Sequence, residues 1–297
     1  MLDVLISALT QGLIYALLCY GLLISYKILD FPDLTVDGSF PLGAAVTALL
    51  ITNGVHPLLT LPVAMLAGAL AGLATGLIHV CLKVRDLLAG IITMTALFSI
   101  DLKIAGSNLP IPRGVDTLFT LPALDALLGS VSLSGKKLIV SFVIALLFKF
   151  LLDLYFRTGS GMLLRAAGDN PVLVTSLAKS EGKAKILGLV LSNSLVALCG
   201  AVVCQEQRSF SSTMGTGQMV LGLASVIIGL TVFKKLSFVK LTTAALVGSI
   251  LYKFCIQAAI LAGLDPSLLK LITAVLFLAI LAVGSFERRR KGGGARA

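Results

Sequence analysis

Three carboxylates, Asp30, Asp33 and Asp37, stand close together in the stretch LDFPDLTVDGSFPLG, and the chain is apolar on both sides of it. A carboxylate among apolar helices is costly, so such residues ordinarily mark a path for ions, protons or solutes. Pro32, Pro41, Gly38 and Gly43 punctuate the same stretch and oppose a continuous helix. The apolar run that follows, about 40–52, is too short to cross a bilayer as a straight helix. Two readings stay open. One is a broken or re-entrant helix lining a cavity, with Asp33, Thr35 and Asp37 as candidates for a translocation pathway. The other is a polar loop with solvated carboxylates.

A second polar stretch, CQEQRSFSSTMGTGQM, places Gln205, Glu206, Gln207 and Arg208 in succession. Consecutive residues cannot share one helical face, so some of them must meet protein or water. Gln205, Glu206 and Gln207 are therefore further pathway candidates, at the outward mouth of a path. The plainer reading is an external loop holding a Glu–Arg pair. Neither stretch resembles an enzyme site: GxSxG, HExxH, the Walker A lysine loop and paired Asp-rich motifs are missing. Any ATP used must be hydrolysed by another chain. Cys19, Cys81, Cys199, Cys204 and Cys255 lack CxxC spacing and are expected as buried small hydrophobes. His56 and His79 have no thiol or acidic cluster beside them, so no metal site is expected.

The third stretch, GMLLRAAGDNPVLVTSLAKSEGKAK over 161–185, is polar and basic. GMLLRAA has helical propensity, and Gly168 is placed to end that helix. Asp169 or Asn170 can cap a following helix, with Pro171 at its first position. PVLVTSLAKS then reads as a short amphipathic helix, closed by Gly182. A plain connector between helices needs only about 2–8 residues. The longer segment is expected either as a docking surface for a cytosolic partner or as an interfacial helix on anionic lipid.

The elements that position these stretches are membrane helices. Of 297 residues, 57% are hydrophobic and 13% charged, and mean hydropathy is +1.03. No soluble fold hides that much apolar surface. Apolar spans are expected at about 4–26, 40–52, 58–82, 87–105, 138–156, 186–204, 219–233, 241–261 and 267–283. The chain is thus an all-α polytopic membrane protein of about 8–10 transmembrane helices with broken or re-entrant segments. One transmembrane domain covers 1–285, with a polar segment at about 158–184 and a basic tail at 286–297. The N-terminal MLDVLISALTQG carries Asp3 and no basic residue, so it is expected to be a retained first span.

The net charge of +10 fits membrane topology better than nucleic-acid binding. With the C-terminus inside, sixteen basic residues fall in inner segments and four in outer ones, favouring an N-out, C-in orientation. Lys103, Lys149, Lys253 and Lys270 lie within or at the ends of spans, where long side chains can snorkel. Gly68, Gly72 and Gly76 repeat every four residues, suited either to a dimer seam or to close packing within one chain.

The segment GMLLRAAGDNPVLVTSLAKSEGKAKILGLVLSNSLVALCGAVV resembles the cytoplasmic loop and following helix of ABC importer permeases of the branched-chain amino acid and ribose type. Gly161, Arg165, Gly168, Asp169, Asn170 and Pro171 match that pattern. GLIYALLCYGLLISYKILDFPDLTVDGSFPLGAA and GTGQMVLGLASVIIGL are similar to other parts of these permeases, so the resemblance spans about 12–284. FPDLTVDGSFPLGAA looks like a subgroup linked to tryptophan or tyrosine uptake. The better-known members carry an Asn-Phe-Ala type stretch there instead.

The resemblance implies a permease subunit of an ATP-driven importer for a small solute, an amino acid and foremost an aromatic one. It has no ATPase site of its own and sits in the cytoplasmic (inner) membrane of a bacterium. It implies a cytosolic ATP-binding-cassette subunit that holds ATP and Mg²⁺ and docks at Arg165, Gly168, Asp169, Asn170, Pro171, Val172 and Ser176. It also implies a second permease copy, expected as a homodimer, and an extracytoplasmic substrate-binding protein. This chain would carry no cofactor, contact membrane lipid and bind no nucleic acid. The competing expectation is an ion-coupled secondary transporter using the Asp30–Asp37 and Glu206 carboxylates.

Overall fold

The computed structural model describes residues 2–129, 131–170, 180–234 and 239–261, with isolated positions at 174, 236, 263, 271, 274, 275 and 278. Six helices are long and apolar enough to cross a membrane, and two shorter apolar helices accompany them among the described residues. The expected span at 267–283 lies outside the described residues, apart from scattered positions. In chain order, α1 (Leu2–Leu22) runs into a π-helical turn, Leu23–Ile28. Then come α2 (Val36–Thr52), α3 (Pro57–Leu82) and α4 (Asp86–Ala105). A strand β1 (Asn108–Pro110), a short helix α5 (Pro122–Leu128) and α6 (Leu133–Tyr155) follow. After α7 (Gly159–Asp169), the central helix α8 (Glu181–Gln207) leads to β2 (Ser209–Ser211). The described helices end with α9 (Gln218–Val232) and α10 (Leu241–Leu261).

Helix α8 forms the axis. Its residues 192–205 are buried on all sides, against α1, α2 and α3. Small side chains in SNSLVALCGA make this possible, because they let neighbouring backbones come close. Gly68 and Gly72 of α3 face Asn193 and Leu189 of α8, and a Cβ on Gly72 would lie 2.2 Å from the Leu189 carbonyl oxygen. The glycine repeat is therefore a seam inside the monomer. The outward faces of α3, α4 and α6 are apolar, with Leu66, Leu70, Ile92, Phe142 and Phe150 exposed, as lipid contact demands.

The two ends of the bundle differ. At one end β1 and β2 pair antiparallel, Leu109 opposite Phe210. At the other end lie α7, the junction 83–86 and the residues 239–240 that lead into α10. There Asp153 of α6 accepts hydrogen bonds from Lys149, Lys240 and Thr242, tying α6 to the start of α10. Helices α2 and α9, with 17 and 15 residues, are about 25 Å and 22 Å long, less than the ~30 Å apolar core of a bilayer. Irregular stretches, 29–35 and 212–217, make up the difference.

Several expectations change here. Cys19, Cys199 and Cys204 are buried, but Cys81 and Cys255 are exposed on the apolar surface. Lys253 does not snorkel: it is buried, with Nζ 3.5 Å from the Tyr15 ring centre, where the ring face takes the place of water. Lys149 instead pairs with Asp153.

The seam gives a direct test. Gly72→Ala should cost about 2 kcal/mol through overpacking, read as a lowered melting temperature of the purified protein. Gly159→Ala, where a Cβ meets nothing within 4 Å, should melt like the parent.

Candidate functional site

The first helix does not end at a membrane surface. At Leu23 its hydrogen bonding widens to the π pattern, and the Leu29 N–H reaches back to the Ile24 carbonyl at 3.0 Å. Such turns recur at functional sites because they are locally strained and easily rearranged. Asp30 then takes a left-handed conformation, φ 54°, and the chain reverses. It climbs back inside the bundle to begin α2 at Val36, level with Asn193, about 18 Å along α8 from its first residue.

Irregular backbone inside an apolar slab must find its polar partners within the protein. The Asp33 carboxylate, fully buried, accepts from the Thr35 N–H at 2.9 Å and from the Asn193 Nδ2 amide at 2.7 Å. The Asn193 Oδ1 in turn accepts from the Ser39 hydroxyl at 2.7 Å. Thr75 donates to the Ala71 carbonyl, which leaves the Thr35 hydroxyl to donate to Thr75 Oγ1 at 2.7 Å. One network thus joins the break, α2, α3 and α8. The helix is broken here, with Asp33 and Thr35 buried in this network and not on the cavity wall, while Asp30 is exposed, as the loop reading expects of a carboxylate.

Asp37 has a different task. Its two oxygens accept the Gly217 N–H at 3.0 Å and the Met219 N–H at 2.7 Å, so it caps α9 from the first turn of α2. Both helix N-termini favour negative charge, and one carboxylate serves both.

At the β end the expected Glu–Arg pair does not form. Glu206 binds Lys137 at 2.6 Å, and Arg208 donates to the carbonyls of Pro112 and Val115 and to the Thr120 hydroxyl. The reason is local: α8 stays helical through Gln207, then Arg208 turns left-handed, φ 54°, and swings its side chain towards 112–120. Gln205 spends its amide on the Thr60 hydroxyl and Pro57 carbonyl, and its oxygen on the Leu118 N–H. Gln207 is exposed. Gln205, Glu206 and Gln207 therefore point to three different environments, because consecutive residues on a helix must.

At the opposite end, the Thr158 hydroxyl caps α7 and accepts the Gly161 N–H. Gly161, Leu164 and Ala167 form its buried face, and Arg165 lies outward over the Phe156 ring at 4.8 Å. Gly168 does not terminate the helix, which continues to Asp169. Its role is close approach: a Cβ there would sit 1.7 Å from the Ile28 carbonyl oxygen, at the π-helical turn. Asp169 and Asn170 are exposed at the end of α7. Pro171, Val172 and Ser176 lie outside the described residues. Sequence reasoning missed Asn193 and Thr75. The polar SNS inside an apolar span was the available signal for the first, and nothing marked the second.

Buried polar breaks between apolar helices define this as a multi-pass helical membrane protein with discontinuous spans. The chain matches, over residues 4–281, the family described as the permease component of the branched-chain amino acid transport system, and it belongs to that family. It is 42% identical over 283 residues to a tyrosine transport system permease protein of Clostridioides difficile, covering 95% of this chain and 92% of that one. A probable branched-chain amino acid transport permease of Methanocaldococcus jannaschii is 28% identical, covering 75% of this chain and 73% of its own. A ribose import permease of Haemophilus influenzae is 27% identical, covering 76% and 68%. No solved structure matches the chain.

The network predicts a specific rescue. Asn193→Ala strands Asp33 and Ser39 and should cost about 1–3 kcal/mol. Exchanging the pair, Asp33→Asn with Asn193→Asp, keeps a donor facing an acceptor and should recover much of that loss in a thermal melt.

Proposed function

We propose that this chain is the membrane subunit of an ATP-driven importer for an amino acid, foremost an aromatic one such as tyrosine. Family membership and the 42% identity to a tyrosine permease support the substrate class. The observation that carries the mechanism is the seating of α7 on the π-helical turn through Gly168 and Ile28.

In this reading the N-terminus faces outward and the C-terminus the cytoplasm of a bacterial cell, so α7 and the segment to 184 lie inside. Two ATP-binding-cassette subunits dock there, around Arg165, Gly168, Asp169, Asn170, Pro171, Val172 and Ser176. They hold the ATP and Mg²⁺, and this chain has no ATPase site and no cofactor. A second copy completes the path, a binding protein delivers substrate to the β end, and lipid meets the apolar faces. Closure of the ATPase pair displaces α7. The displacement passes to Ile28 and Leu29, the point where the first helix departs from α-helical bonding. Packed helices switch between two arrangements rather than deforming smoothly, so a small push there selects one of two states of the bundle. Asp37, at the junction of α2 and α9, stands on the wall of the path. The carboxylates of Asp33 and Glu206 are committed to Asn193 and Lys137, which leaves them poorly placed as ion-coupling sites.

The test is uptake in vesicles containing the assembled complex. Uptake should require ATP and the binding protein. Deleting 172–180 should leave membrane insertion intact and uncouple hydrolysis from transport. Gly168→Leu should leave basal ATPase activity in place while lowering uptake about tenfold. Normal uptake by both variants would refute the coupling route.

A further inference from the structure

A cavity of about 290 Å³ lies between α2, α4 and the stretch leading into α9. Asp101 of α4 lines it. This side chain is fully buried, and neither of its carboxylate oxygens meets a hydrogen-bond donor among the described residues. Asp101 makes no ion pair among the described residues either. The other carboxylate on the wall, Asp37, already accepts the Gly217 and Met219 N–H groups. The remaining wall includes Met94 and Phe98 of α4 and Pro41 of α2.

An ionised carboxylate buried without a donor is too costly to be a packing element, and an ionisable side chain inside a membrane protein marks a functional site, one use of which is to meet a cation. The wall selects among cations. Ca²⁺ and Mg²⁺ take six or more oxygen ligands and Zn²⁺ three or four side-chain ligands, and no group of three or more His, Cys, Asp or Glu side chains gathers among the described residues. Asp37 is engaged with α9, so one uncommitted carboxylate remains, on a wall that carries an aromatic ring and a thioether beside the hydroxyls of Thr95, Ser212 and Thr216, and this suits a single positive charge on a largely apolar body. The carboxylate takes the ammonium hydrogens, while Phe98 and Met94 meet the carbon skeleton.

We propose that this cavity binds the primary ammonium group of an organic amine with an apolar body, with Asp101 as its counter-ion. The proposal rests on the importer reading above, in which that group is the α-amino end of the amino acid in transit. It adds a point along the permease itself where substrate chemistry is read.

The experiment uses the full-length chain in lipid nanodiscs, without ATPase or binding protein, and measures equilibrium binding of radiolabelled tyramine. Tyramine has the aromatic body and the amine but no carboxylate. Competitors are tyrosine, its deaminated acid, Na⁺ and K⁺. Binding should be saturable, competed by tyrosine but not by the deaminated acid, and weakened about tenfold or more by Asp101→Asn. Thr95→Phe, which keeps the carboxylate and fills the cavity wall, should weaken it as well. If Asp101→Asn fails to fold, judged by size-exclusion chromatography, Thr95→Phe decides the matter. The proposal is overturned by absence of saturable binding, by unchanged binding in a folded variant, or by Na⁺ or K⁺ competing as well as tyrosine. None of these outcomes touches the importer reading, which fails separately if vesicle uptake proceeds without ATP.

Discussion

The hydrogen bond from the Asn193 amide to the Asp33 carboxylate closes a stretch of chain that has left helical geometry deep inside an apolar bundle. In water such a stretch would be solvated and unremarkable. Between α1 and α8 it has no water to turn to, so its polar groups must be met within the protein, partly by the stretch itself and partly by side chains from other helices. That requirement explains why Thr75 of α3, Ser39 of α2 and Asn193 of α8 all turn inward at one level. It also explains why α2 starts where it does. Once Asp33 is fixed to α8, the next residues have their position set, and Val36 opens a helix parallel to α8.

This arrangement depends on backbones that come very close. Gly68 and Gly72 bring α3 onto α8, so that the Thr75 hydroxyl reaches Thr35. On the other flank, Ser192 of α8 donates to the Gly21 carbonyl, and Ser249 of α10 donates to the Gly12 carbonyl. Close-packed interfaces of small residues transmit displacement because they leave little slack. The bundle therefore has stiff seams around α8 and a softer place at the π-helical turn, where wider hydrogen bonds are more readily exchanged.

Much of this was legible in the sequence. The apolar runs marked α3, α4, α9 and α10 to within a residue or two, because hydropathy and helix length are set by the same bilayer. The break was legible too, since Pro32 and the aspartates interrupt the apolar run, but its extent was not: α2 already begins at Val36 and carries Gly38 and Pro41 inside it. What could not be read is pairing across the sequence. Asn193 lies 160 residues from Asp33, and no local pattern links them. Gly168 illustrates a second limit. A glycine near a helix end has two uses, left-handed termination and close approach, and only the position of Ile28 decides between them. The β1–β2 pair was invisible for the same reason: three-residue strands carry too little periodicity to stand out.

The two carboxylates beside the cavity show how environment divides one residue type between structure and chemistry. Asp37 sits at the N-terminus of α2 and accepts from the N-terminus of α9, so two helix dipoles and two N–H groups balance its charge. Drawing α9 away from α2 would strip that balance at a cost of about 1 kcal/mol or more, which favours the two moving as one. Asp101 lies near the C-terminus of α4, four residues before its end at Ala105, where the backbone N–H groups are already spent within the helix and the helix dipole disfavours a negative charge. The α2–α9 junction capped by Asp37 faces a carboxylate on a third helix whose charge nothing in the described protein balances. A relative movement of α4 against that joint changes the space around Asp101 without breaking either cap. Helix α4 packs closely on α2, with Met94 and Leu97 against Gly38 and Gly90 against Leu34, so the space around Asp101 is set by that contact.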